Sequence, residues 1–368
     1  MLKLGKVEQM LLALLRASLH QKETETVFFQ GVSADEWKQC YQLAVKHGVM
    51  ALAWEGVVRL PMSLYPPKAL KINWGMAVES YENKYRHYCK TIDELAKLYA
   101  ENGIATLQLK GVGYSSLYPV PSHREGGDID IYTYAAEGSG LIDQEASALA
   151  DQLMRDQGIK VDTDHSVKHS SFRYQGVTIE NHKMFLNVDR YYVAPQVEML
   201  LKRSMNPSLT LLEAGEVMTP SIAFNTLFMP FHALAHFPGM LMLHHLYDWA
   251  VLIHRYGVKL PDELKDTFFL DGIAALTRLC NSLLGTSVPV QGGEKIAAMI
   301  EMEMFTPKYP NDVPVSNKLG IIVFKTSRLL HHYRLKNSVL RYPLWKCIWE
   351  SVVARLKEPE TIFRRKFH

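Results

Sequence analysis

A chain of 368 residues is long enough for one large domain or two ordinary ones with a real core, and 48% apolar with 21% charged residues excludes a disordered polymer. A net charge of +3 does not by itself announce a nucleic-acid binder. Cys40, Cys89, Cys280 and Cys347 form no CxxC pair, which excludes a familiar zinc knuckle or a disulfide framework and suits buried thiols in a reducing compartment.

Residues 1–100 read as helical. Leu4, Val7, Leu11, Leu14 and Leu15 share one face at helical spacing. Lys3 and Lys6 ahead of Met10–Leu15 imitate a signal peptide, but the apolar run is short and is followed by Arg16 and His20. No stretch reaches the ~20 apolar residues of a transmembrane helix, so a soluble cytoplasmic protein is expected. Ser33 with Glu36 is a capping-box start for a helix carrying Trp37, Tyr41 and Val45. Pro66-Pro67 opens a long helical segment that stops at Asn102-Gly103.

The middle third changes character. Ile104 to Leu109 suits a buried strand, and Gly111 to Leu117 a short helix ended by the Pro119 and Pro121 loop. Asp128 to Thr133 alternates acidic and apolar or β-branched residues, the period of a half-buried strand. Leu141 to Gln157 reads as a helix closed by Gly158. Ser171–Tyr174 and Val177–His182 flank Gln175-Gly176, a hairpin turn.

From Pro195 helices return, most clearly over Pro220–His236 and Gly239–Tyr256, the latter ending at Gly257. Gly285–Gly293 and Thr306–Ser316 read as connections. There is no internal repeat or low-complexity tract. From Lys318 to His368 twelve Lys and Arg face three Asp and Glu, leaving the rest of the chain with a deficit of six. That basic end, closing in Phe363-Arg364-Arg365-Lys366-Phe367, could meet a weak anionic partner such as RNA, a membrane or an acidic protein; the solvated side of ordinary helices is the plainer reading. The expected plan is α+β: an N-terminal helical region (1–100), a small α/β core (101–200) and a C-terminal helical domain with the basic end (201–368).

The chemistry concentrates in Arg124-Glu125-Gly126-Gly127-Asp128-Ile129-Asp130-Ile131. On a strand, Asp128 and Asp130 project together while Ile129 and Ile131 enter a core. Two adjacent carboxylates repel unless a cation lies between them, and oxygen ligands favour Mg²⁺ or Mn²⁺. Gly126 and Gly127 allow a tight turn and close ligand approach. Lys110-Gly111, at a strand end and helix start, and Arg124 would face phosphate. Glu180 shares a strand face with His182 and offers a third acid or a general base. An exposed lysine and the polar face of an edge hairpin are the plainer readings of Lys110 and Glu180. No GxSxG, P-loop or GxGxxG occurs.

Leu109-Lys110-Gly111, Arg124, Gly127-Asp128-Ile129-Asp130 and Ile179-Glu180-Asn181-His182 together resemble the bacterial family labelled "uncharacterised nucleotidyltransferase", of the DNA polymerase beta-like nucleotidyltransferase superfamily. The helix with His232 and His236, followed by Asp248, matches in order, and Leu11–Leu19 is similar to the family's first helix. The resemblance is strongest over residues 104–256. It implies a mixed sheet with Asp128 and Asp130 on a central strand as metal ligands and Glu180 on a neighbouring strand as third acid. It also implies Gly111 at the phosphate turn, and Lys110, Arg124 and His182 at further matching positions. One departure stands out: the superfamily usually places Gly-Ser or Gly-Gly about ten residues before the aspartates. Here Val112 follows Gly111 and the gap is longer, with Gly113 an alternative turn residue.

His232 and His236 stand four apart on a helix, a spacing that can bind zinc, but no HExxH glutamate accompanies them. A buried structural pair, or with Asp248 a wall of the cleft, are the other readings. His244, His245, His331 and His332 read as structural or surface. The expected function is metal-dependent transfer of a nucleoside monophosphate from an NTP to a hydroxyl or phosphate acceptor, a small molecule, glycan or protein rather than nucleic acid. The alternatives are a nucleotide-binding or scaffolding module of the same fold that has lost turnover, and an RNA-end modifier using the basic terminus.

Overall fold

The computed structural model describes residues 2–163, 168–310, 312–315 and 317–364; Arg365 to His368 of the basic tail lie outside the described residues. The N-terminal part is helical, as expected: α1 (Lys6–His20), α2 (Ala34–Lys46), α3 (Met50–Val58) and α4 (Lys68–Ala100). The single-stripe reading of α1 is incomplete. Met10 to Leu15 are all buried, because this helix runs between α2, α3 and α10 (Thr267–Leu284) and is covered on several sides. Before α2 the capping box forms: Ser33 Oγ accepts from the Glu36 amide at 3.2 Å, and the Glu36 carboxylate accepts from the Ser33 amide at 2.7 Å. The buried stripe of α2 is Trp37, Cys40 and Ala44, and Val45 is 49% exposed. The 33-residue α4 buries Trp74, Val78, Tyr85, Cys89, Ile92, Leu95 and Tyr99, three or four apart.

The sheet follows with β1 (Ile104–Gln108), the one-turn α5 (Val112–Ser115), β2 (Ile129–Ala135), α6 (Asp143–Asp156), β3 (His169–Tyr174) and β4 (Val177–His182). The β3–β4 turn falls where the sequence places it. Gln175 and Gly176 have φ of 49° and 81°, the two positive values that a two-residue hairpin loop of matching twist requires.

After α7 (Ala194–Arg203) the reading of helices alone is corrected. The chain makes a second hairpin, β5 (Ser208–Leu212) and β6 (Gly215–Thr219), before α8 (Ile222–His236) and α9 (Leu243–Tyr256). Gly215, at φ 112°, begins β6 so close to α4 that a Cβ there would stand 2.5 Å from Asp93 Cβ. The sheet therefore draws on residues on both sides of position 200, in the order β3-β4-β2-β1-β6-β5. The chain continues through α10, α11 (Glu294–Phe305), α12 (Lys318–Asn337) and α13 (Leu344–Lys357).

β2 is central, antiparallel to β1 and parallel to β4. One face carries Ile104, Ile129, Ile131 and Ile179 and packs on α4 and α6. The other carries Leu107 and Tyr132 and joins the core of the C-terminal helices. Cys40, Cys89 and Cys280 are buried free thiols and Cys347 is half-buried. Among the described residues no helix is long and apolar enough to cross a membrane.

Candidate active site

The site begins where β1 ends. The Leu109 amide donates to the Asp130 carbonyl at 3.0 Å, which keeps the next residue, Lys110, beside β2. Gly111 then takes φ 72°, ψ −134°, a backbone state essentially restricted to glycine, and the chain reverses into α5. Gly113 is not the turn residue. It lies inside α5 without a positive φ, and its missing side chain lets the helix touch Thr219, whose Cγ2 would be 2.9 Å from a Cβ.

The parallel register of β2 and β4 sets Asp130 directly opposite Glu180 and Tyr132 opposite His182. Asp128 sits just ahead of β2 on the same side. The outcome is a cluster in which Asp128, Asp130 and Glu180 each offer a carboxylate oxygen within 4.8 Å of the others. Gly126 and Gly127 leave open space where side chains would project, and the chain bends at Gly127 and Asp128 without either glycine adopting a positive φ.

Two cationic or polar partners hold these acids. Lys110 Nζ lies 2.9 Å from Asp130 Oδ2 and 3.8 Å from Asp128 Oδ1. His182 Nε2 lies 3.1 Å from Asp130 Oδ1 and 3.5 Å from Glu180 Oε2. Burial alone would raise the Asp130 carboxyl, but the Lys110 charge and the His182 hydrogen bond outweigh it and hold the group ionised, well below the usual carboxylate range. Asp128 goes the other way: burial, then the neighbouring Asp130 charge, lift it. The His182 hydrogen bond lowers Glu180 against a smaller opposing effect of burial. His169, which sequence reading passed over, faces Glu180 across β3 at 3.8 Å. Continuing the register of the Gln175-Gly176 hairpin outward pairs His169 with His182, so the signal was there.

Arg124 does not lie loose beside the acids. It is buried and makes a two-pronged pair with Asp248 on α9, at 2.8 Å and 2.9 Å. Tyr118 donates its hydroxyl to the same carboxylate at 2.5 Å, and Tyr114 donates to the Asp248 carbonyl at 2.8 Å. Asp248 thus clamps α9 to the loop that carries Gly126, Gly127 and Asp128.

His232 and His236 do reach this cleft, and His245, expected to be structural or on the surface, joins them. Their ring centroids are 4.6, 5.0 and 5.6 Å apart. Burial, then the Lys110 charge, pushes His232 well down and His236 to about 4, so both rings are neutral. Each of the three offers a ring nitrogen within 4.8 Å of the others. His245 Nδ1 accepts a hydrogen bond from the Met242 amide at 3.1 Å, which puts the proton of its neutral ring on Nε2. Lys110, Asp128, Arg124, His232, His236 and His245 line one open cavity of about 490 Å³. A larger cavity of about 700 Å³ lies between α6 and the ends of β2 and β4, contains Arg155, Lys183 and Lys202, and holds none of the three clustered acids.

The acids fit a hard divalent cation. All three donors are carboxylate oxygens, and the buried Asp130 Oδ2 has the Lys110 ammonium at 2.9 Å as its partner. The chain belongs to the family described as "Uncharacterised nucleotidyltransferase", which matches residues 33–284. Proteins of this kind generally use divalent metals. A solved structure, an antigenic nucleotidyltransferase-like protein from Paracoccidioides brasiliensis, is 13% identical; the match covers 56% of this chain and 94% of that one at a TM-score of 0.36, too loose a superposition to carry an argument. No curated protein matches the chain.

Proposed function

We propose that the protein moves a nucleoside monophosphate from an NTP to a hydroxyl or phosphate acceptor and releases pyrophosphate. One observation carries this reading: the convergence of carboxylate oxygens of Asp128, Asp130 and Glu180 within 4.8 Å of one another, with Asp128 lining the open cavity. These three would hold Mg²⁺ or Mn²⁺, which when bound neutralises charge on the triphosphate. Lys110 adds a donor for phosphate oxygens, and Gly111, Gly126 and Gly127 keep side chains out of their way. Glu180, half-exposed and ionised, accepts the proton of the acceptor hydroxyl. The acceptor oxygen then bonds to the α-phosphorus as the bond to the β-phosphate oxygen breaks. His182 positions Asp130 and Glu180 through its hydrogen bonds. The Arg124–Asp248 clamp holds the loop bearing Asp128, and neutral His232 and His236 form the opposite wall.

We assign acceptor choice to the helical regions 1–100 and 201–368 around the 101–200 core, with a small molecule, glycan or protein as acceptor. A cytoplasmic setting accords with the free buried thiols. The test is pyrophosphate release from a panel of NTPs with Mg²⁺ or Mn²⁺, using Asp128→Asn as control. Release by the native chain and none by the variant is expected; no release and no thermal shift with any nucleotide sinks the reading. The second reading, a nucleotide-binding module without turnover, is favoured by the ammonium of Lys110 resting on Asp130. Calorimetry showing tight, metal-insensitive nucleotide binding without product would support it instead.

A further inference from the structure

The last helix is turned the opposite way to an ordinary surface helix. α13 meets the body through its polar side. Glu350 pairs with Arg190 at 3.0 Å and accepts the Tyr342 hydroxyl, and Lys346 donates to the Asp189 carbonyl. Its apolar side faces outward: Leu344, Trp345, Ile348, Trp349, Val352 and Leu356 are 41–73% exposed. Their spacing places them along one flank of the helix, so they form a ridge rather than scattered contacts. No residue of α13 is buried. α12 buries Ile321 and packs Tyr333 and Leu335 on the core, but it also leaves Leu319, Ile322, Val323 and Leu330 exposed by 42–73%.

An exposed apolar ridge of this size calls for a cover. Charge narrows what the cover can be. The segment from Lys318 carries twelve Lys and Arg against three acids. Lys346 turns to the body and Lys325 is buried, while Lys318, Arg334, Arg341 and Lys357 are exposed at or near the helix ends, with Glu358 and Glu360 exposed beyond the last of them. A second copy on the same face would bring the exposed basic residues of the two chains together without a matching set of acids. A neutral apolar partner would leave those charges unmatched. An anionic bilayer matches both features at once: its acyl boundary takes Leu, Ile and Val, its headgroup level suits tryptophan, and its surface potential attracts the basic residues. No described helix can cross the membrane, so the chain would lie on it.

We propose that the outward face of α12 and α13 docks on an anionic phospholipid surface, with Trp345 and Trp349 seated at the headgroup level. The test uses the full chain and vesicles of phosphatidylcholine alone or mixed with phosphatidylglycerol, by co-sedimentation and tryptophan fluorescence. Binding to the anionic vesicles is expected to exceed that to phosphatidylcholine by about tenfold or more and to weaken with salt. The pair Trp345→Ser, Trp349→Ser should lower it by about tenfold while leaving the melting temperature unchanged, because both side chains are exposed. Should that variant unfold, quenching of native-chain fluorescence by brominated lipid decides, since Trp37, Trp74 and Trp249 are buried and Trp54 packs partly buried against the core. Equal binding to both vesicles, no binding, a dimer that disappears in the double variant, or capture only by a soluble acidic protein overturns the proposal.

Discussion

The ammonium of Lys110 lies 2.9 Å from Asp130 Oδ2, and Asp130 is only 2% exposed at its side chain. The chain's own cation therefore sits against an oxygen that a divalent ion would claim. Burial works against the charge of both partners, and each keeps the other ionised.

Lys110→Met should accordingly destabilise the metal-free protein by about 3–5 kcal/mol, the usual cost of stranding a buried charge. Mn²⁺ should then restore more stability to the variant than it adds to the native chain, because no ammonium has to move aside. Thermal melts with and without Mn²⁺ measure this. Identical metal-induced shifts in the two proteins would mean that Lys110 does not compete for the site.

Asp128→Asn should separate stability from activity. Asp128 is raised by burial and by the charge of Asp130, so the carboxylate is under repulsion in the metal-free fold. Its neutral amide relieves that repulsion, and the melting temperature is expected to hold or rise. Pyrophosphate release should fall by about a hundredfold or more. A variant that melts much earlier would show that Asp128 is structural.

The buried pair of Arg124 and Asp248 predicts a large and asymmetric response. Arg124→Ala leaves Asp248 with the Tyr118 hydroxyl as its remaining side-chain donor and should cost about 3–5 kcal/mol in urea unfolding. Arg124→Lys should recover part of this, since an ammonium cannot reproduce the two-pronged contact. A loss below about 1 kcal/mol, the range of a surface pair, would contradict the clamp.

Acid should weaken the fold through the cleft histidines. Burial drives His236 to about 4, against about 6.5 in an unfolded chain. Between those values the unfolded state binds the extra proton, so stability falls as pH drops through 6.5 and the loss levels off near 4. His236→Asn should flatten this slope, read from urea midpoints between neutral and acid pH. An unchanged slope would put the acid sensitivity elsewhere.

Much of the site was legible because its signals are local. The Asp128-Ile129-Asp130-Ile131 alternation fixes which side chains share a face, and the hairpin residues Gln175 and Gly176 fix the β3–β4 register that puts His169 opposite His182. The parallel pairing of β2 with β4 that brings Glu180 beside Asp130 has no local signal. β5 escaped notice for a physical reason. Its Leu209 and Leu211 are 57% and 77% exposed, so the apolar period of that edge strand points to solvent rather than to a core. The pairing of Arg124 with Asp248 has no local signature, since each is an ordinary charged residue until the loop and α9 meet. His245 reads as one more helix-start histidine, and only the packing of α8 against α9 brings it to His232 and His236.

The direct apposition of Asp130 and Glu180 through parallel strands means that no continuous piece of polypeptide owns an ion pocket. A chain that has the aspartates but lacks the β3–β4 ribbon would be without the third acid of the proposed ion site. Cation uptake would then act as a checkpoint on assembly, and fraying of that ribbon would release the ion while the helical body was still intact.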